Sequence, residues 1–174
     1  MKIIEAMRKI KDLTRKAEDL RGKVGKYCAD YSHQEPVYLD QKSQVTEWLQ
    51  AHSDVLKEIS RLRIAIQKTN LETNVDIEIG GQTVTKCIAG WIHRRVDLAN
   101  HEKVAWAALK GSLLKINGME MGVAKDKDGK DIPTKVRRYY DPKTRDAKVE
   151  EFTSEPSLIN GRLEVVNAVT DILE

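Results

Sequence analysis

The chain has 174 residues, of which 33% are charged and 40% hydrophobic, while only 5% are aromatic. This length suits one compact domain spanning 1–174, and aliphatic residues with few aromatics favour packed helices over a large β-sandwich. No apolar run approaches the roughly 18 residues of a membrane span, and the charged opening is unlike a signal peptide. We therefore expect no membrane partner and a cytoplasmic location on synthesis.

The formal net charge of +3 conceals a strong asymmetry along the chain. Residues 1–26 carry nine Lys/Arg against four Asp/Glu, and residues 135–148 carry six against two. Residues 149–174 carry one against six. A basic first helix is thus expected to attract an acidic last helix, within one molecule or between copies.

The first predicted element is a helix over 1–26. Its apolar residues recur from Ile3 to Val24 at alternating spacings of three and four, which keeps one seam facing a partner helix. Lys9, Lys16 and Lys23 flank that seam, where long basic side chains are able to cover apolar surface and meet an acidic partner.

A second long helix is predicted over 40–70, after a connection marked by Pro36. Asp40 or Ser43 is suited to cap it. Its apolar residues repeat in the same way, and Leu49 and Leu56 widen the apolar face. Two long helices with a short connection predict an antiparallel hairpin.

The spacing of apolar residues changes in the middle of the chain. Alternating Val75, Ile77 and Ile79 before Gly80-Gly81 predict a β-hairpin over 74–86. A helical period returns over 86–113. Residues 114–140, which contain the sequence DKDGKD, are predicted to form a second hairpin or a mobile loop.

Two further helices are predicted at the end of the chain, over 141–152 and 155–174, each opened by a capping residue and a proline. Apolar residues cover about half the circumference of the last helix, which is more than one neighbour requires. The residues expected to contact another copy or another protein there are Leu163, Val166, Val169 and Leu173.

Two groups of residues have the spacing of metal ligands. His93, Asp97 and His101 lie at i, i+4 and i+8 of a predicted helix, but opposite its apolar face and without an HExxH context, which favours a solvated, ion-paired face. The acidic loop that begins at Asp126 resembles a calcium loop, yet Arg137 stands where the bidentate acid belongs. We expect no metal and no cofactor.

A basic and aromatic segment offers a different interpretation. Arg137, Arg138, Tyr139 and Tyr140 combine cations with rings, a pattern that grips phosphates and stacks bases. The alternative is that the arginine stems cover helix surface and the tyrosines complete the core. Nucleic-acid binding is accordingly the second hypothesis for this protein.

Catalysis has little support in the sequence. There is no Gly-rich phosphate loop or nucleophile elbow, and His52 occupies a seam position. Cys28 and Cys87 lack zinc or redox spacing and are expected to be reduced thiols. We predict that the protein is not an enzyme, with a metal-dependent enzyme as the third hypothesis.

Several segments resemble a family of short helical proteins of bacteria and tailed phages, some of which carry a septicolysin-like label. The resemblance lies in ISRLRIAIQKTN at 59–70 and in the Arg-Tyr-Tyr motif followed by Arg145. IAGWIHRRVDLA at 88–99 and LEVVNAVTDILE at 163–174 are closer to phage-encoded members. The resemblance implies a self-associating bundle of long antiparallel helices with no catalytic residues.

These observations together predict a mainly α protein, an antiparallel long-helix hairpin or coiled-coil-like bundle with one or two small β-hairpins. The expected function is that of a structural protein of a phage virion, associated with the capsid or neck. Its expected partners are other copies of itself and other particle proteins.

Overall fold

The computed structural model describes residues 1–109, 123–133 and 138–173. The described chain is mainly helical with small antiparallel strand pairs, which confirms the predicted fold class at that level. The helices are α1 Ile3–Tyr27, α2 Gln41–Glu72, α3 Ile88–His93, α4 Ala99–Ala107 and α5 Pro142–Val169, and the strands are β1 Asn74–Ile79, β2 Gln82–Cys87, β3 Val123–Lys125 and β4 Asp131–Pro133. None of the helices within the described ranges is both long and apolar enough to cross a membrane.

The contacts of the chain divide it into two compact units, where the sequence predicted a single domain. Unit 1 comprises Met1–Ile92 with Asn160–Glu174, and unit 2 comprises His93–Ile159. Both boundaries fall inside continuous helical segments. Because no proline- or glycine-rich linker marks such a boundary, composition gave no sign of the division.

Helices α1 and α2 of unit 1 pack against each other in opposite directions. Lys9 of α1 pairs with Glu58 of α2, whereas the Tyr27 ring lies 5.7 Å from the Trp48 ring. The shared buried cluster consists of Ala17, Leu20, Trp48, Val55 and Ile59. The side chain of Asp40 caps α2 by accepting a hydrogen bond from the Ser43 backbone N–H at 2.9 Å.

Strands β1 and β2 form the antiparallel pair that the sequence predicted, with Ile79 opposite Gln82 at the turn. Val75 and Ile77 are buried on one face. The fully buried Trp91 of α3 closes that face, and its indole Nε1–H donates to the Val75 carbonyl at 2.8 Å. The hydrogen bond satisfies the polar atom of an otherwise apolar side chain.

Replacing the turn glycine Gly81 by alanine should cost about 1 kcal/mol, because its φ of 76° is one that L side chains rarely adopt. The matched control is Gly22→Ala in α1, where an added Cβ meets nothing within 4 Å. That change should instead stabilise the protein by about 0.5–1 kcal/mol, since alanine favours a helix. Urea titration of both variants measures the difference, and equal midpoints would contradict the turn geometry.

Unit 1 also holds residues near the two ends of the chain together. Lys2 and Asp171 form an antiparallel bridge, and the Lys2 ammonium lies 2.6 Å from the Asp171 carboxylate. The buried hydroxyl of Thr69 accepts a hydrogen bond from the Leu173 backbone N–H at 2.8 Å and donates to the Ala65 carbonyl. Residues 170–173 are thereby fixed to α1 and α2.

Helix α5 is one continuous helix, so the prediction of two helices separated near residue 154 is wrong. Pro156 lies inside it and deprives the helix of one backbone hydrogen bond, at a typical cost of about 3 kcal/mol. Phe152, Glu155 and Ile159 around it are all buried. We attribute the continuity of the helix to this burial, which offsets the cost of the proline.

Of the helix predicted over 86–113, residues 88–107 are helical, and this segment contains an irregularity. A π-helical turn, Arg94–Leu98, separates α3 from α4. Such a turn accommodates one extra residue and is frequent at functional sites. Residues 110–113 lie outside the described chain.

Strands β3 and β4 pair in antiparallel fashion, in the segment predicted to be a hairpin or a loop. The Asp126 carboxylate accepts hydrogen bonds from the backbone N–H groups of Asp128 and Lys130, both at 2.9 Å. In the described residues Asp126 therefore stabilises a tight turn. The rest of 114–140, at 114–122 and 134–137, lies outside them.

Candidate interaction surface

The lysines predicted to flank the seam lie on one side of the α1–α2 pair. Lys9, Lys16 and Lys23 are exposed, and the Lys9 ammonium lies 2.8 Å from the Glu58 carboxylate. Arg61 donates to the same carboxylate from within α2. We call this set of residues, Lys9, Lys16, Lys23 and Glu58, the lysine flank.

Acid should weaken the α1–α2 pair through Glu58. A side-chain hydrogen bond from Arg61, and a second from Lys9, lower the pKa of Glu58 to about 2 from its ordinary value of 4.5. Since the folded-state pKa is the lower one, the stabilisation is complete above pH 4.5 and disappears as the pH falls through 2.

The Glu58→Gln variant should therefore melt below the wild-type protein at pH 6, with the gap closing by about pH 2. Circular dichroism melting curves at the two pH values measure this gap. A gap that is the same at both pH values would contradict the role of the carboxylate. Gln67→Glu is the control, because it changes the charge at an exposed α2 site away from this pair.

The opposite side of the same pair is more apolar. Met7 of α1 and Leu49 and Leu56 of α2 are 53%, 53% and 48% exposed. A shallow groove between the helices is lined there by residues that include Ala17, Ile59, His52 and Leu56. We call this side the leucine flank and define it as Met7, Thr14, Glu18, Arg21, Leu49, Leu56 and Arg63.

Helix α5 separates its apolar residues into two sets. Leu163 and Val166 are 3% and 8% exposed, so they lie in the core and must be removed from the predicted partner surface. Val165 and Val169 are 54% and 64% exposed and lie on the outer side of the same turns. Leu173, which follows the helix, is 40% exposed beside Ile64 and Lys68. An apolar surface over half of a helix does not show which of its residues pack within the molecule. The sequence therefore could not separate the buried residues of α5 from the exposed ones.

Unit 2 contains a buried ion pair that the sequence analysis missed. Arg94, in the π-helical turn, donates from Nε and Nη2 to the two carboxylate oxygens of Glu155 at 2.5 and 2.8 Å. Glu155 is 1% exposed, and Arg94 also bonds Glu102 and covers the Phe152 ring. The hydrogen bond to Glu155 raises the pKa of Arg94 above its ordinary value.

One sequence signal pointed to this pair. Glu155 lies three residues after Phe152 and four before Ile159, on the apolar face of α5, where an acid requires a partner. The fork of two parallel hydrogen bonds fixes both side chains. Each carboxylate oxygen of Glu155 accepts one of these hydrogen bonds, and the side chain is 1% exposed.

The three residues with metal-ligand spacing are exposed to solvent. His93, Asp97 and His101 are all exposed, and the π-helical turn lies among them, so ideal α-helical angles do not apply. In residues 1–109, 123–133 and 138–173, no group of three His, Cys, Asp or Glu residues is arranged to share a metal ion. The acid at Asp126 bonds backbone N–H groups instead.

The basic and aromatic segment is described from residue 138 onward, and Arg137 lies outside the described residues. Arg138 is exposed, and Tyr139 is 88% exposed. Tyr140 is half-buried beneath the Arg145 guanidinium, whose carbon lies 5.9 Å from the ring centre. One tyrosine thus faces solvent and the other packs against an arginine.

Comparison with known proteins adds information on the fold alone. No protein-family model matches the chain. A search of curated proteins finds no match either. The fold is similar to the crystal structure of a functionally unknown conserved protein from Corynebacterium diphtheriae, with a TM-score of 0.54, 16% identity and 99% of each chain covered.

Proposed function

We propose that this protein is a non-enzymatic structural component that self-associates through its helices, as a capsid- or neck-associated part of a phage particle. In this role the α1–α2 pair acts as a coiled-coil-type antiparallel hairpin and α5 supplies a second contact face. The resemblance to phage-encoded helical proteins supports the setting, and the surface of the helices supports the mode of action.

The observation that carries the proposal is apolar side chains left exposed at helical repeat spacing. Leu49 and Leu56 are seven residues apart on α2, and Val165 and Val169 are four apart on α5. Residues at these spacings share one face of a helix. Exposed apolar stripes of this kind are typical of surfaces that pack against another helix.

Light scattering over a concentration series tests the self-association. The expected result is a molar mass that rises above the 19.8 kDa of one chain and reaches a whole-number multiple of it. A mass of one chain at every concentration would contradict the proposal. For the particle role, the protein should copurify with phage particles in a fixed stoichiometry, and its absence from them would exclude that setting.

Nucleic-acid binding is the second candidate, and the exposed Tyr139 beside Arg138 is the observation that favours it. A free ring next to a cation is suited to stack a base and contact a phosphate. Titration of a labelled single-stranded oligonucleotide at several salt concentrations tests it. Steeply salt-dependent binding that Tyr139→Ala weakens would support this function, and no binding at low salt would exclude it.

A further inference from the structure

We propose that a second copy of this chain packs on the leucine flank by twofold symmetry, so that two α1–α2 pairs form a four-helix arrangement. This inference rests on the proposed self-association and assigns it a surface. Its first support is the difference between the two flanks of the α1–α2 pair. The lysine flank carries cations and the Lys9–Glu58 ion pair, whereas the leucine flank carries half-exposed Met7, Leu49 and Leu56.

The repeat pattern of α2 indicates contact with more than one helix. Leu49 and Leu56 directly follow the buried seam residues Trp48 and Val55, so two consecutive heptads carry a third apolar position beside the seam. A helix with one partner needs two apolar positions in seven, whereas helices of larger bundles carry three. The interaction with α1 leaves Leu49 and Leu56 about half-exposed.

The charges of the leucine flank complement each other under a twofold axis. Glu18, Arg21 and Arg63 line the flank, and none of the three forms an ion pair within the described residues. A twofold axis places a patch against itself, and an axis that passes between Glu18 and the arginines brings Glu18 of one copy to the arginines of the other. A partner with charges of one sign would leave either the acid or the arginines unmatched.

The groove on the leucine flank also has room for a side chain of the second copy. Ala17, a small residue at a seam position, lines the groove together with Ile59 and Leu56. A leucine from the second copy would fill the space above the alanine methyl group, as a knob fills a hole in a coiled coil. Leu49 and Leu56 can make this contact without any change in the backbone of α2.

The test compares two double variants of α2. Leu49→Gln with Leu56→Gln should convert the associated protein to single chains, weakening association about tenfold or more, with unchanged helicity. Ile64→Gln with Leu71→Gln is the control, since these residues are also seven apart, are 50% and 65% exposed, and lie outside the flank. Analytical ultracentrifugation gives the dissociation constants, and circular dichroism monitors folding.

The outcomes separate this inference from the proposed function. Wild-type protein that is monomeric throughout would overturn both. Association that survives in the flank variant but not in the control would overturn the inference and leave self-association intact.

Charge reversal provides a second readout that does not depend on removing apolar side chains. Glu18→Arg alone, and Arg21→Glu with Arg63→Glu alone, should each weaken association, and combining all three in one chain should restore it. Failure of the combined variant to recover would show that the flank meets a different surface, such as the outer face of α5, and would overturn the twofold arrangement.

Discussion

The Leu163→Asp variant is expected to destabilise unit 1 strongly. Leu163 is 3% exposed, so the new carboxylate would be buried without a cation, which costs about 3–5 kcal/mol. A domain has about 5–15 kcal/mol of total stability, so this change alone approaches the limit. Urea denaturation followed by circular dichroism measures the loss.

Val165→Asp is the matched control, two residues further along the same helix and 54% exposed. It should change the unfolding free energy by about 0.5 kcal/mol or less. Equal losses in the two variants would contradict the assignment of the inner and outer faces of α5.

The second large effect is expected at the buried ion pair of unit 2. Arg94→Met should cost about 3–5 kcal/mol, because it leaves the Glu155 carboxylate, 1% exposed, without its cation. Adding Glu155→Met should recover most of that loss, since two apolar side chains then replace two charged side chains of similar volume. Thermal melting of the two single variants and the double variant gives the coupling free energy.

Glu102→Gln is the control for this series. Glu102 also bonds Arg94, but its side chain is 49% exposed, so removing its charge should cost about 1 kcal/mol or less. A double variant no more stable than Arg94→Met would show that the cost comes from lost packing against Phe152. The coupling between Arg94 and Glu155 would then be small.

The sequence predicted those elements whose patterns are local. The apolar repeats of the first two predicted helices gave α1 and α2 to within two residues at every end, and Gly80-Gly81 predicted the β1–β2 turn. Each of these signals depends on the spacing of apolar residues or on the backbone freedom of a single residue. Such signals are reliable because residues close in sequence supply the contacts that they require.

Features that depend on distant contacts were not predictable in this way. Pro156 was interpreted as a helix start because the buried Phe152 and Ile159 on either side of it could not be foreseen. Arg94 and Glu155 are 61 residues apart, and the π-helical turn that carries Arg94 has no signature of its own. In the sequence, the leucine flank is visible only as a widened apolar face of the second helix. The structure is needed to separate it from the lysine flank, because the separation depends on the direction in which α1 and α2 pack.

The discontinuous composition of unit 1 has a consequence for the order in which the protein is made. Residues 160–173 complete a unit that begins at Met1, and the Lys2–Asp171 bridge joins its first and last described segments. A ribosome therefore releases α1 and α2 long before residues 160–173 of the same unit exist. Until then unit 1 lacks the buried Leu163 and Ile172, whereas 93–159 are already available to fold.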